Sequence, residues 1–138
     1  MPEVRRGGAA DLAAVAAIQA ASPEAAQWPV EDYLGQELRV ALVGERVAGF
    51  LAGRRLAPGE SEVLNLAVAP EFRRRGVARA LVQAWLREWG GDVWLEVRES
   101  GTGARTFYQL LGFEQVGRRQ EYYSTPTEAA IVLKFHSC

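Results

Sequence analysis

Little in this 138-residue chain serves metal, redox or covalent chemistry: it holds one cysteine, one histidine and, among 16 basic residues, one lysine, Lys134. A lone cysteine, Cys138, allows neither a disulfide framework nor a zinc cluster within the chain. A reducing, cytoplasmic setting is the expectation. His136 stands without a partner pattern for catalysis or metal binding. The arginine bias reads as composition rather than function. Charge of either sign is not in excess, 16 basic against 17 acidic residues, so nothing global points to nucleic acid or a membrane surface as partner. No apolar run approaches the roughly 20 residues of a membrane span. Arg5-Arg6 and the alanine-rich stretch to Ala20-Ala21-Ser22 imitate a signal peptide, but Asp11 and Gln19 interrupt it. Leu12, Val15 and Ile18 recur there at helical spacing. Repeats and low-complexity linkers are absent, and 49% hydrophobic content suits one domain over residues 1–138 with a single core.

What is present is organised around Val63 to Trp89. A buried strand (Val63 to Val68) leads through Ala69-Pro70-Glu71-Phe72 into the turn Arg73-Arg74-Arg75-Gly76-Val77-Ala78, and then into a helix to about Trp89. On that helix Arg75, Arg79, Gln83 and Arg87 form a solvated stripe. Val77, Leu81, Val82, Trp85, Leu86 and Trp89 form the apolar one. A strand feeding a glycine-containing turn that opens a helix is a device for holding phosphate. The first N–H groups lack intrahelical acceptors and sit under the positive end of the helix dipole.

Around this stretch the pattern predicts a strand Pro2 to Arg6, ended by Gly7-Gly8, and a helix beginning near Asp11 and running to about Ala21, stopped by Ser22-Pro23. A second helix is expected from Val30 to Leu38. Arg39 to Val43 and Arg46 to Arg54 read as a hairpin, with Gly44-Glu45 in a type II′ turn. A strand follows from about Ser61 to Val68. Beyond Gly90-Gly91, Val93 to Val97 reads as a strand buried on both faces. A helix from Thr102 to about Leu111 is closed by Gly112 at its C′ position. Strands Phe113 to Tyr123 and Thr127 to Phe135 flank a loop with Pro126. The order makes a mixed α/β sheet, parallel only where a helix intervenes between strands.

The turn Arg73-Arg74-Arg75-Gly76-Val77-Ala78 resembles the Gln/Arg-x-x-Gly-x-Gly/Ala signature of the GNAT acetyltransferase superfamily. Leu66-Ala67-Val68-Ala69-Pro70, Trp94-Leu95-Glu96-Val97-Arg98 and Phe107-Tyr108-Gln109-Leu110-Leu111-Gly112-Phe113 stand in that family's order. Residues 65–113 are most similar to the bacterial ribosomal-protein-alanine N-acetyltransferases, and Gly117-Arg118-Arg119 and Tyr122-Tyr123 extend the likeness. The resemblance implies the acyl-CoA N-acyltransferase fold, a mostly antiparallel sheet of about seven strands with about four helices. It also implies acetyl-CoA as co-substrate and no metal.

By the same resemblance, Arg73, Arg74, Arg75, Gly76, Val77 and Ala78 hold the pyrophosphate through backbone N–H groups, with Gly76 and Ala78 allowing close approach. Leu66, Ala67 and Val68 pair with the pantetheine arm and supply an oxyanion donor. Glu96, a carboxylate in an apolar strand, is the general base; the alternative to that role is a structural pair with Arg98 or Arg119. Glu62 is the rival base. Tyr108, 108 − 96 = 12 residues on, is the general acid, a phenol of pKa near 10 able to protonate a thiolate of pKa near 8.5. Trp28, Tyr33, Tyr122 and Tyr123 are candidate walls of the acceptor site. Three positions depart from the family pattern: Glu121 replaces an Asn before the Tyr pair, Ala129 an acidic residue, and Gly101 an Asn that contacts the cofactor.

The resulting expectation is direct acetyl transfer to a primary amine, a protein N-terminus such as that of a ribosomal protein, by a monomer or homodimer. Two readings remain beside it: a small amine or antibiotic as acceptor, or an acyl-CoA-binding module without turnover. Retention of Glu96 and Tyr108 argues against the last.

Overall fold

The computed structural model describes residues 2–124 and 127–136, and of residues 121–124 and 127 the backbone alone. Seven strands form one sheet: β1 (Glu3–Arg6), β2 (Glu37–Val43), β3 (Arg46–Ala57), β4 (Glu60–Val68), β5 (Asp92–Arg98), β6 (Glu114–Ser124) and β7 (Thr127–His136). They lie in the order β1-β2-β3-β4-β5-β7-β6. Every neighbouring pair is antiparallel except β4 and β5. That pair is joined by α2 (Val77–Trp89), the crossover a parallel connection requires. Helices α1 (Leu12–Ala20) and α3 (Thr102–Leu110) complete the α-helical set of the described residues.

The sheet is covered on both faces because its strands alternate. Along β3, Gly49 and Gly53 face α2, and an added Cβ at either would come within 3 Å of Val77 or Trp85. Phe50, of opposite parity, meets Tyr33 edge-on on the other face, where α1 and a 3-10 helix (Val30–Gly35) lie. Val15 and Ile18 of α1 are buried as their spacing requires, and so are Val77, Leu81, Val82 and Trp85 of α2.

Polar residues that break the apolar pattern of α1 are anchors. Asp11 accepts two bonds from the Arg5 guanidinium and one from the Gly8 N–H, all at 2.9 Å. On the α2 face Arg39 is nearly inaccessible. Its guanidinium lies over Trp85 and Trp89, 5.9 and 6.0 Å from their centroids, and is paired with Glu88 and Glu37. A buried cation is tolerable only with such compensation.

Three expectations change. The second helix is a 3-10 turn that stops at Gly35, because Leu38 is drawn into β2 opposite Ala52 and buried there. Sheet pairing and burial outweigh local helical preference. Strand β5 buries one face only, Val93 and Leu95, while Trp94 and Glu96 remain partly accessible. Strand β3 runs on to Ala57. The hairpin turn keeps Gly44 at φ 63. Helix α3 closes on Gly112 at φ 103, with Gly112 and Phe113 donating to the carbonyls of Gln109 and Tyr108.

Gly53 sits where β3 and β4 fall out of register and the Trp85 ring approaches, so Gly53→Ala is expected to cost about 1–3 kcal/mol by overpacking. A urea midpoint unchanged from wild type would contradict this.

Candidate active site

Strands β4 and β5 pair only from Glu60–Asp92 to Glu62–Trp94, then separate, although both continue. The cause lies on the other edge of β4. Val63 and Asn65 oppose Gly53 and Ala52, leaving Leu64 as the extra residue of a bulge. A bulge bends its strand and sharpens the local twist, and here it turns β4 away from β5. A cleft of about 520 Å³ opens between them, lined by residues 63–66 of β4, Leu95–Arg98 of β5, Ser100 and Gly101 ahead of α3, Ala104 and Tyr108 on it, and Pro23–Ala26 of the loop after α1.

Beyond the bulge, the N–H of Ala69 donates to Ala48 of β3. Period-two alternation therefore aims the N–H and C=O groups of Leu66 and Val68 into the gap. Arg73 donates to the Val68 carbonyl at 3.2 Å, and the Leu66 N–H donates to Asn65 Oδ1 at 3.0 Å. Ala67, of the other parity, turns its backbone to β3.

Glu96 and Tyr108 both line this cleft. Glu96 Oε1 pairs with Arg119 Nε at 3.1 Å, while Oε2 is buried without a hydrogen-bond partner. Burial raises its pKa, Arg119 opposes that, and nearby Glu62 adds to it. Arg98, the other candidate partner, pairs with Glu128. Glu62 is engaged by Arg54 at 2.8 Å and lies just outside the cleft lining. The Tyr108 ring packs edge-on between Phe107 and Phe113, and burial pushes its phenol well above the usual range. Gly101 caps α3; a Cβ added there would come within 3.1 Å of the Arg98 carbonyl.

At the C-terminal end of β4, Val68, Phe72, Arg73, Arg74, Gly76, Val77, Ala78, Arg79 and Phe107 line a second concavity of about 350 Å³. Arg74 has φ 64 and Gly76 φ 76, and the N–H of Ala80 is the donor that returns to Gly76. The preceding N–H groups at the start of α2 thus have no intrahelical acceptor, and the left-handed residues gather them into an anion-binding nest. A left-handed arginine costs about 1–2 kcal/mol. Arg75 lies over the Phe72 ring, whereas Arg73 reaches back to Ala21 and Ser22.

The aromatic walls expected for an acceptor are placed differently. Tyr33 is wholly buried, stacked on Trp28 at 4.9 Å, and neither lines the cleft. The side chains of Tyr122 and Tyr123 lie outside the described residues. Missing from the sequence reading are Asn65 and Gln19. Asn65 lines the cleft and bonds to Ala26 and Tyr33; Gln19 accepts the Tyr33 hydroxyl's hydrogen bond. The available signal was an amide between Leu64 and Leu66 in an apolar strand, where an unsatisfied polar group is expensive. Among the described residues no three His, Cys, Asp or Glu side chains gather as a metal site, and no helix is long and apolar enough to cross a membrane.

A splayed parallel pair thus opens a cleft that holds a half-paired carboxylate and a phenol, beside a nest of backbone N–H groups. The chain belongs to the acetyltransferase (GNAT) family, whose model matches residues 5–113. It is 38% identical over 96 residues to the N-alpha-acetyltransferase RimI of Mycobacterium tuberculosis, covering 69% of this chain and 60% of that protein. It is 35% identical over 109 residues to the [ribosomal protein bS18]-alanine N-acetyltransferase of Salmonella typhimurium, covering 75% and 71%. Among solved structures, the Escherichia coli ribosomal-protein-S18-alanine N-acetyltransferase superposes with a TM-score of 0.85 at 25% identity, over 99% of this chain and 94% of that one. Ard1 of Thermoplasma volcanium gives 0.87 at 27%, over 99% and 98%. An Elizabethkingia anophelis GNAT protein solved with acetyl-CoA bound shares the fold at 18% identity, with a TM-score of 0.77, over 98% and 97%.

The buried Oε2 makes Glu96 a liability for folding. Its folded pKa is raised, so the native state binds the proton more tightly than the unfolded chain, and stability is lost as pH rises from the unfolded carboxylate range through the folded value. Glu96→Gln should therefore gain melting temperature relative to wild type progressively across that window. A difference independent of pH would contradict it.

Proposed function

We propose that the chain transfers an acetyl group from acetyl-CoA directly to the N-terminal α-amine of a protein, with a ribosomal protein as acceptor. The observation that carries the chemistry is the buried, unpartnered Oε2 of Glu96 in the same cleft as Tyr108. The residues fit the co-substrate: the nest at Arg74–Gly76 and the start of α2 suits a pyrophosphate, and the opened edge of β4 offers backbone groups to an extended amide-bearing arm. Acetyl-CoA supplies the thioester acyl group and the thiol leaving group.

The chain's own groups do the rest. Glu96, its basicity raised by burial, takes a proton from the incoming ammonium so that a neutral amine attacks. The Val68 N–H on the opened edge of β4, where that of Leu66 is already taken by Asn65 Oδ1, stabilises the oxygen that gains charge. Tyr108, kept protonated by its surroundings, gives its proton to the departing sulfur. The amine gains the acyl carbon and the carbon–sulfur bond breaks; the nitrogen's second proton restores the Tyr108 phenol, the proton on Glu96 passes to solvent, and no covalent enzyme intermediate is needed. Glu62, held by Arg54, acts on Glu96 through charge alone. The N-terminal acceptor is supported by the relatives' activities, and with it a cytoplasmic site of action.

Glu96→Gln and Tyr108→Phe should each lower kcat by about 10²–10⁴-fold on a peptide with a free N-terminal alanine, and Glu62→Gln by less than about tenfold. Thiol release from acetyl-CoA reports all three. Unchanged rates in Tyr108→Phe, or a large loss confined to Glu62→Gln, would overturn the assignment. Equal rates with amino-terminally blocked peptides would overturn the acceptor.

A further inference from the structure

An amide in the middle of a buried strand has to be satisfied, and Asn65 is satisfied completely. Its Nδ2 donates to the Ala26 carbonyl at 2.9 Å and to the Tyr33 hydroxyl at 2.7 Å. Its Oδ1 accepts from the N–H groups of Ala26 at 3.2 Å and Leu66 at 3.0 Å. Two donors and two lone pairs exhaust the group's capacity. Both backbone groups of Ala26 are thereby paired to one side chain, as a neighbouring strand would pair them. The Tyr33 hydroxyl donates in turn to Gln19, and Gln19 Nε2 donates to the Trp28 carbonyl at 2.8 Å. The loop after α1 is thus pinned from the core at Ala26 and Trp28.

We propose that Asn65, with Tyr33 behind it, is a positioning residue that sets the acceptor-side width of the cleft by fixing this loop. Pro23, Glu24, Ala25 and Ala26 form one wall, facing Leu95–Arg98, Ala104 and Tyr108. Apart from Glu24 the wall carries short side chains, so where it stands, rather than what reaches from it, decides which amines enter. Asn65 also holds the Leu66 N–H at the opened edge of β4, so one amide registers the acceptor wall against the strand that receives the acyl group. Tyr33 serves acceptor binding from behind the wall. The kinetic part rests on the acetyl-transfer reading; the loop's attachment does not.

Tyr33→Phe and Asn65→Ala, singly and together, test this by two readouts. In the free protein, amide hydrogen exchange over residues 22–29 should accelerate in each variant while the middle of α2 stays protected. In turnover, each should raise the peptide KM about tenfold, the loss of one satisfied hydrogen-bond network, with kcat and the acetyl-CoA KM within about twofold. The double variant should be little worse than the worse single one, because the residues act as a unit. Asn65→Asp, which keeps the shape and the accepting oxygen, should fall between wild type and Asn65→Ala. Unchanged exchange in residues 22–29, a parallel rise in both KM values, or multiplying losses in the double variant would overturn the proposal. Should Asn65→Ala fail to fold, Tyr33→Phe decides it by the same measurements. If the wild type acetylates no amine, the proposed function falls while hydrogen exchange still decides the loop's attachment.

Discussion

The loss of pairing between β4 and β5 after Glu62–Trp94 is the constraint on which the rest depends. A continuous parallel ladder would satisfy every backbone group and leave nowhere for a substrate. The extra residue at Leu64 ends that ladder, and α2 secures the distortion. Trp85 lies against Gly53 at the point of irregularity and donates its indole N–H to Ser61 at 3.0 Å. Arg39 packs over Trp85 and Trp89 of the same helix. The helix that presents the anion nest at its N-terminus thus stabilises, further along, the bulge that opens the cleft. The nest and the bulge share one rigid body.

The same geometry sets Glu96 apart from Glu62. Both lie near the point of divergence. Glu62, on the paired side, meets Arg54 across the antiparallel ladder, and its charge is compensated. Glu96, on the separated side, retains one arginine on one oxygen and loses solvent from the other. Desolvation of that oxygen raises the pKa of Glu96 against the opposing pull of Arg119. Arg74 in a left-handed conformation is a second local cost at the same end of the sheet.

Much of this was legible in the residues, for identifiable reasons. The period of α2, the glycine stops at Gly44 and Gly112, and the strand–turn–helix around Gly76 are local signals, and local signals survive folding. The exposed face of β5 was not legible. Apart from Glu96, Val93 to Val97 reads as apolar, yet the strand diverges from β4 and needs burial on one face only. The second helix failed for the converse reason: Leu38 has a strand partner, Ala52, that no local window contains. Tyr33 and Trp28 read as aromatics near the loop after α1, but sequence gives no depth, and Tyr33 is buried behind that loop rather than lining the cleft.

The buried polar residues carry the information that hydrophobic periodicity omits. Asp11, Gln19, Arg39, Ser61 and Asn65 all interrupt apolar runs, and each is bonded to a group distant in sequence or to a turn. In a core close to crystal density, an apolar side chain can be replaced by another of similar volume, whereas an amide such as Asn65 fixes which groups face it and at what separation. An apolar residue in its place would bury β4 equally well and leave the loop at Ala26 without an address. Polar interruptions in this chain therefore mark the joints between elements, and Glu96 Oε2, a buried carboxylate oxygen that keeps no hydrogen-bond partner among the described residues, marks a joint left open.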